Sequence, residues 1–154
     1  MTDLHLNITE AGGPIRVVHI PIDPEDTLEA FADRITEGAD VDGHAILEIA
    51  LDTAVPSDTS RRLRDMPLRH QELTLHRTCV EVHFETESER HWFPVQAHWA
   101  NVHRWACKEF EVAADACANL ELREDKADGP PINERDPIGK RDQCKVVWVV
   151  KPGP

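Results

Sequence analysis

The sequence is short of positive charge and of long apolar runs. Its 154 residues carry 17 Lys and Arg against 29 Asp and Glu, a net charge of −12. This deficit argues against nucleic acid as a direct partner, because phosphate backbones demand local positive charge. No apolar run approaches the roughly 20 residues of a membrane helix. The first residues, MTDLHLNITE, lack the basic flank and apolar stretch of a signal peptide. We therefore expect a cytoplasmic protein with no membrane partner.

Motifs of common enzyme classes are also missing. The sequence contains no His-Glu-x-x-His or His-x-His run of a metallopeptidase, no Gly-x-x-x-x-Gly-Lys phosphate loop and no Gly-x-Ser-x-Gly nucleophile elbow. It also lacks the His-Pro pair that conjugating enzymes carry ahead of their catalytic cysteine. We expect no enzymatic activity.

The four cysteines form no Cys-x-x-Cys pair and predict reduced thiols that are buried or idle. His98, His103 and Cys107 are spaced by five and four residues on a predicted helix. Metal ligands on one helix face would be three or four residues apart, and no second cluster completes a set. We expect neither a metal nor a cofactor.

The composition changes near the middle of the chain. Residues 1–77 carry 7 basic and 15 acidic side chains and no lysine, whereas residues 78–154 carry 10 basic and 14 acidic side chains. All five lysines, all four cysteines and all four tryptophans lie in the second half. This shift predicts two domains, 1–77 and 78–154.

The first half predicts the order strand, strand, helix, strand, strand. Alternating apolar residues over 4–8 and 18–22 are typical of half-buried strands. Apolar side chains at positions 28, 31, 32 and 35 form one face of a helix. The apolar stretch Ala45 to Leu51 predicts a central strand, and Leu73 with Leu75 predicts a short final one.

The second half predicts the same order. Val80 to Phe84 and Trp92 to Val95 indicate two strands, joined by a turn at residues 86–89. Ala97 to Phe110 indicates a helix, and residues 120–122 a short strand. Lys145 to Val150 is the strongest strand signal in the chain. A helix laid across a mixed sheet in each half predicts an α+β protein with two tandem β-grasp domains.

Two segments resemble ubiquitin. Val18 to Ile22 followed by Pro24-Glu25-Asp26-Thr27-Leu28 is similar to its second strand and helix entry. Asn119 to Leu122, a loop with Asp136-Pro137-Ile138, and Cys144 to Val150 are similar to its last third. The chain thus resembles the tandem ubiquitin-like modifiers, which include the interferon-induced two-domain modifier of vertebrates and modifiers of bacterial antiphage operons.

The resemblance implies a protein modifier rather than a catalyst. In that family an activating enzyme adenylates the C-terminal carboxylate, a conjugating enzyme carries it as a thioester, and the product is an amide on a target protein. A deconjugating peptidase reverses the attachment. The implied partners are these enzymes and the target proteins.

The implied conjugation tail is Pro152, Gly153 and Pro154. Pro152 would keep the tail extended on its way into a narrow channel. The family usually ends in two glycines, whereas this sequence has one glycine between two prolines. Three alternatives stay open: a peptidase removes Pro154 to expose Gly153, the terminus is unusual, or the protein is never conjugated.

Two groups of residues are candidates for partner binding. Trp148, Val150 and Lys151 belong to the last strand and its exit, and they serve either packing or recognition; the pattern does not decide which face Trp148 occupies. Arg61, Arg62 and Arg64 form a basic concentration in an acidic half. They are either a solvated loop that balances nearby acids or a contact for an acidic partner.

Overall fold

A computed structural model of the chain describes residues 2–10, 13–141 and 143–152. The chain divides into two compact units. The first comprises the residues up to Arg77 together with Trp92–Pro94, and the second comprises Thr78–His91 together with the residues from Val95 onward. Both units are α+β. Within the described ranges, every helix is too short or too polar to cross a bilayer.

The first unit contains three strands, two helices and one short 3-10 turn. In chain order they are β1 (Asp3–Thr9), β2 (Arg16–Pro21), α1 (Leu28–Ala39), α2 (Gly43–Leu51), the 3-10 turn Leu63–Asp65 and the first residues of β3 (Glu72–Phe84).

The sheet of the first unit has β1 in the middle. β2 runs antiparallel to β1, with Leu4 opposite Ile20, and β3 runs parallel to β1, with Ile8 opposite Leu75. Alternation along β1 buries Leu4, Leu6 and Ile8 on one face. The predicted strands and their half-buried pattern are confirmed here.

Helix α1 begins where the sequence predicts it. The Thr27 side chain accepts a hydrogen bond from the Ala30 N–H (3.1 Å), which satisfies a free donor of the first turn. The apolar residues spaced at three and four positions are all buried, and Phe31 is 0 % exposed. The helix ends at Asp40, which adopts a left-handed conformation.

The prediction of a strand over Ala45 to Leu51 is wrong, because this segment lies in helix α2. The Asp42 carboxylate caps the helix by accepting from the Ala45 N–H (3.0 Å), and Asp52 ends it in a left-handed conformation. A Cβ at position 43 would lie 1.8 Å from the Ala32 carbonyl oxygen, so glycine allows the start of α2 to approach α1 closely. A continuous apolar run is compatible with a buried helix as well as a strand.

One apolar cluster holds the first unit together. It includes side chains from β1, β3, α1 and α2, and partly buried residues such as Val18 and Met66 pack against it. At roughly 25 cal/mol per Å² of buried apolar surface, such a cluster is the main source of the unit's stability.

The second unit contains the rest of β3, three further strands, one helix and one single-turn helix. In chain order they are β4 (Glu87–Pro94, its last residues belonging to the first unit), α3 (Trp99–Glu109), the single turn α4 (Ala114–Cys117), β5 (Glu121–Glu124) and β6 (Lys145–Val150).

The strands of the second unit follow the order β4-β3-β6-β5. β3 and β6 are parallel, with Val82 opposite Val147, and β5 is antiparallel to β6, with Leu122 opposite Val149. The four side chains are buried at 3 % exposure or less and face the core of the unit. A mixed sheet with its last strand in the centre and a helix between the second and third strands is the β-grasp order.

Two strand boundaries differ from the sequence prediction. The predicted strands at residues 73–75 and 80–84 form one strand, β3, because residues 72–84 contain no proline or glycine to interrupt the ladder. Within the first unit, Arg77 on this strand pairs with Glu10 and Asp40 (3.2 Å each) and covers the Trp92 ring at 3.9 Å. β4 begins at Glu87, so the predicted turn at 86–89 lies one or two residues earlier.

The prediction of reduced thiols is also wrong for this structure. Cys79 is joined to Cys144 and Cys107 to Cys117. The first bond links β3 to the segment before β6, and the second links α3 to α4. Sequence spacing does not reveal such pairs, because four cysteines allow three pairings and the fold selects one of them.

Candidate interaction surface and metal-ligating cluster

Side chains of the last strand, β6, alternate between the core face and the outer face of the sheet in the second unit. Val147 and Val149 are buried, whereas Val146, Trp148 and Val150 point the other way and are half-buried. The structure therefore places Trp148 and Val150 on the outer face. Trp148 does not belong to the apolar core of the unit.

The outer face carries an aromatic stack at its centre. The ring of His83 on β3 lies opposite Trp148 in the ladder and stacks on it, with ring centroids 4.7 Å apart and an interplanar angle of 18°. Arg123 on β5 lies opposite Trp148 on the other side. We call these three side chains, together with Glu81 and Val150, the Trp148 face.

Charges on the Trp148 face are neutralised in pairs. Glu81 accepts hydrogen bonds from His83 Nε2 (2.8 Å) and Arg90 Nε (2.9 Å), and Arg123 pairs with Glu121. The hydrogen bond from His83, followed by that from Arg90, lowers the pKa of the Glu81 carboxyl. Aromatic residues and arginine are enriched at protein-protein interfaces, so the Trp148 face is a candidate interaction surface.

The residues that follow β6 are accessible as far as the structure describes them. Lys151 and Pro152 are exposed. Gly153 and Pro154, the rest of the predicted conjugation tail, lie outside the described residues. The tail residues that are described therefore leave the sheet without being covered by the second unit.

The predicted basic group lies in the first unit and is partly neutralised. Arg62 and Arg64 both pair with the Glu25 carboxylate, at 2.6 and 3.0 Å. The backbone carbonyl of Arg61 accepts a hydrogen bond from the Leu28 N–H (2.8 Å). All three arginines are exposed. Their role as a contact for an acidic partner stays a prediction.

A second cluster consists of three potential metal ligands, of which the sequence analysis named two. His103 and Cys107 lie one helical turn apart on α3, and Cys117 comes from α4. One ligand atom from each lies within 4.8 Å of the others. His98 is the N-cap of α3 and is not part of this group. The spacing of four between His103 and Cys107 was the available signal; the third residue required the tertiary structure.

His103 is held at both ring nitrogens. Nδ1 donates to the Glu134 carboxylate at 2.8 and 2.9 Å, and Nε2 donates to the Cys117 carbonyl at 2.9 Å. The hydrogen bond to Glu134 raises the pKa of His103, burial opposes this, and the bond to the Cys117 carbonyl adds to the rise. The side chain is 12 % exposed, so the cluster is largely shielded from water.

One family model matches most of the second unit. Residues 79–147 match a family model described as BilA ubiquitin-like domain 2. The comparison with curated proteins finds no match. A solved structure titled "Molecular Mimicry of SUMO promotes DNA repair" is similar to 48 % of this chain and 90 % of its own, with 16 % identity and a TM-score of 0.38. Nearly all the matched residues belong to the second unit, whose sheet has the β-grasp order, so this unit is similar to a ubiquitin-like domain.

Proposed function

We propose that this protein is a tandem ubiquitin-like modifier with domains 1–77 and 78–154. An adenylating enzyme activates its C-terminus, a conjugating enzyme carries it, an isopeptide bond attaches it to target proteins, and a peptidase removes it. The protein itself performs no catalytic step. The proposal places this system in the cytoplasm. The resemblance to modifiers of bacterial antiphage operons favours a role in antiviral defence.

The position of β6 is the observation that carries the proposal. The strand lies between β3 and β5 and has backbone partners on both sides. Its exit, Lys151 and Pro152, is exposed. A tail that must enter a narrow enzyme channel needs an anchored base and a slender end. Pro152 fixes its own φ angle and so reduces the conformational freedom that the tail would lose on insertion. Gly153 is the proposed residue of attachment.

The Trp148 face supports a docking role for the second unit. Trp148 and Val150 offer apolar surface on the same strand that leads into the tail. An enzyme bound there would have the C-terminus within a few residues of its own contact surface. Aromatic side chains at the centre of an interface often contribute most of the binding energy.

The first unit supports the tandem arrangement by its topology. α1 connects an antiparallel β1–β2 pair to a segment that leads into β3, parallel to β1. Helix α2 occupies the place in the chain where the second unit has α4 and β5. Arg61, Arg62 and Arg64 would add a weak contact to an acidic partner, since Arg62 and Arg64 share the single negative charge of Glu25 and exposed ion pairs contribute little.

The test is incubation of the full chain with ATP, Mg²⁺ and a candidate adenylating enzyme from the same organism. We expect a covalent adduct that thiol reagents release, and no adduct after deletion of Gly153 and Pro154. Trp148→Ala should weaken docking by about tenfold or more, the effect of truncating an aromatic anchor. Val17→Ala is the matched control, since Val17 is 57 % exposed on β2. An unchanged adduct from the deletion variant would refute conjugation through this tail.

The alternative is an adaptor that binds partners without being conjugated. The Trp148 face favours this possibility as a specific observation, because it offers a recognition surface that does not depend on the tail. Under this alternative the deletion of Gly153 and Pro154 leaves partner binding unchanged, no thiol-sensitive adduct forms with any activating enzyme tested, and Trp148→Ala still weakens binding.

A further inference from the structure

Three potential metal ligands from two helices converge in the second unit. His103 and Cys107 lie on α3 and Cys117 on α4, each with a ligand atom within 4.8 Å of the others. We propose that a dithiol reductant opens the Cys107–Cys117 disulfide and that the second unit then binds a zinc ion through His103 Nε2 and the two cysteine thiolates. This inference does not depend on whether the protein is a modifier.

The distances suit zinc after a small adjustment. A tetrahedral site with Zn–S of about 2.3 Å and Zn–N of about 2.0–2.1 Å places its sulfur and nitrogen ligands roughly 3.6–3.8 Å apart. The ligand atoms here lie within 4.8 Å of one another, and the two sulfurs, which are bonded to each other before reduction, must separate to reach the zinc spacing. Rotamer changes at Cys107 and Cys117 move a sulfur by an ångström or more without any movement of the helices.

The surroundings of His103 resemble those of a zinc-binding histidine. Its Nδ1 donates to the Glu134 carboxylate at 2.8 Å, which fixes the ring and leaves Nε2 for the metal. A histidine that ligates zinc usually donates its other ring N–H to a carboxylate or carbonyl. Zinc would replace the present contact between Nε2 and the Cys117 carbonyl, 2.9 Å away.

The site would keep one open position. Three protein ligands of the Cys₂His type leave the fourth zinc position to water or an incoming group. Cys107 is 6 % exposed, so the thiolates are protected on one side by the core of the unit. Thiolate and imidazole are ligands that favour zinc over calcium or magnesium.

The chemical balance of the change is complete. The reductant transfers two electrons and two protons to the Cys107–Cys117 bond and becomes a disulfide itself. Zinc binding then releases both thiol protons to the buffer, together with the Nε2 proton when His103 carries one.

The first experiment compares oxidised and reduced full-length protein. The reduced protein is prepared with dithiothreitol, freed of reductant without oxygen, and mixed with Zn²⁺ or Co²⁺. We expect about one equivalent of zinc to co-elute with the reduced protein and a thiolate-to-cobalt charge-transfer band to appear. The oxidised protein should retain almost none. Equal retention by both forms, or retention by neither, would overturn the proposal.

Matched double variants identify the ligands. Cys79→Ser/Cys144→Ser keeps Cys107 and Cys117 and should bind zinc when reduced, whereas Cys107→Ser/Cys117→Ser keeps the other two thiols and should not. Zinc binding by the second variant at the level of the first would exclude the site. Because Cys79→Ser/Cys144→Ser is expected to be less stable, the reduced wild-type chain serves as a parallel sample.

Substitutions at the histidine separate zinc ligation from a structural role. His103→Ala should weaken zinc binding and change the cobalt spectrum. Glu134→Gln retains all three ligands and should lower zinc affinity by about 10–100-fold, the usual effect of losing an outer carboxylate. Unchanged affinity and spectrum in both variants, with folding verified by circular dichroism, would remove His103 from the site.

Discussion

The two units of this protein use similar elements but are held together differently. The first has no cysteine and depends on an apolar cluster between its sheet and two helices. The second contains both disulfides, and its helix α3 packs Trp99, Val102 and Ala106 inward. A small α+β unit thus reaches stability either by burying more apolar surface or by restricting its unfolded chain.

The units also differ after their first helix. In the first, α1 is followed by the buried helix α2, and in the second, α3 is followed by the single turn α4 and the strand β5. The second unit therefore adds a strand to its sheet beside β6, while the first adds a helix to its core. The two units therefore differ in topology after their first helix.

The largest effect is expected from a substitution that removes core volume from the first unit. Phe31→Ala should cost about 3–5 kcal/mol of unfolding free energy, because Phe31 is 0 % exposed and the cavity is only partly refilled. Urea denaturation followed by circular dichroism measures the loss. Ile15→Ala, at a side chain 65 % exposed, is the control and should change little. A loss as small as that of the control would show that the apolar cluster is not the main source of this unit's stability.

A smaller effect is expected from opening the longer disulfide of the second unit. Cys79→Ser/Cys144→Ser should cost about 2–4 kcal/mol, because the bond closes a sequence separation of 65 residues. Cys107→Ser/Cys117→Ser opens a separation of only 10 and should cost less. Three of the four tryptophans, Trp99, Trp105 and Trp148, lie in the second unit, so tryptophan fluorescence during denaturation reports largely on that unit. A larger loss from the shorter loop would contradict restriction of the unfolded chain as the mechanism.

The smallest effect is pH-dependent and concerns the Trp148 face. The pKa of Glu81 is lowered by the hydrogen bonds from His83 and Arg90, so the unfolded chain binds a proton more readily at this position. The resulting stabilisation is present above the unfolded pKa of about 4.3 and is lost as the pH falls through the lower native pKa. Glu81→Gln should therefore be less stable than the wild type near neutral pH and approach it in acid.

Urea denaturation between about pH 3 and pH 7 measures this convergence. Glu89→Gln removes a charge from an exposed position of β4 and is the matched control. A constant difference between Glu81→Gln and the wild type over the whole range would show that the hydrogen bonds do not favour the charged carboxylate.

Local patterns were sufficient where one face of an element is buried. The spacing of Leu28, Phe31 and Ile35 predicted α1, because this period follows from the geometry of a helix against a core. The β-branched and aromatic residues of Lys145 to Val150 predicted β6, because these residue types favour strands. The segment Ala45 to Leu51 was assigned wrongly, because it is apolar on nearly all sides and its period carries no information.

The candidate site could be predicted only in part. The sequence pointed to Trp148 but not to the face it occupies, since neighbouring positions on β6 are all apolar. It placed His103 and Cys107 on one helix but not Cys117 beside them. Contacts between residues distant along the chain depend on how elements pack, which local pattern does not encode.

The sequence by itself determined the acidic charge, the order of most strands and helices, and the resemblance of its last segments to ubiquitin. These properties depend on composition and on neighbours a few residues apart. Only the tertiary structure decided that α2 is a helix packed on α1 at Gly43, that the four cysteines form two pairs, and that Trp148 stacks on His83 outside the core. Each of these outcomes depends on contacts between residues from separate parts of the chain.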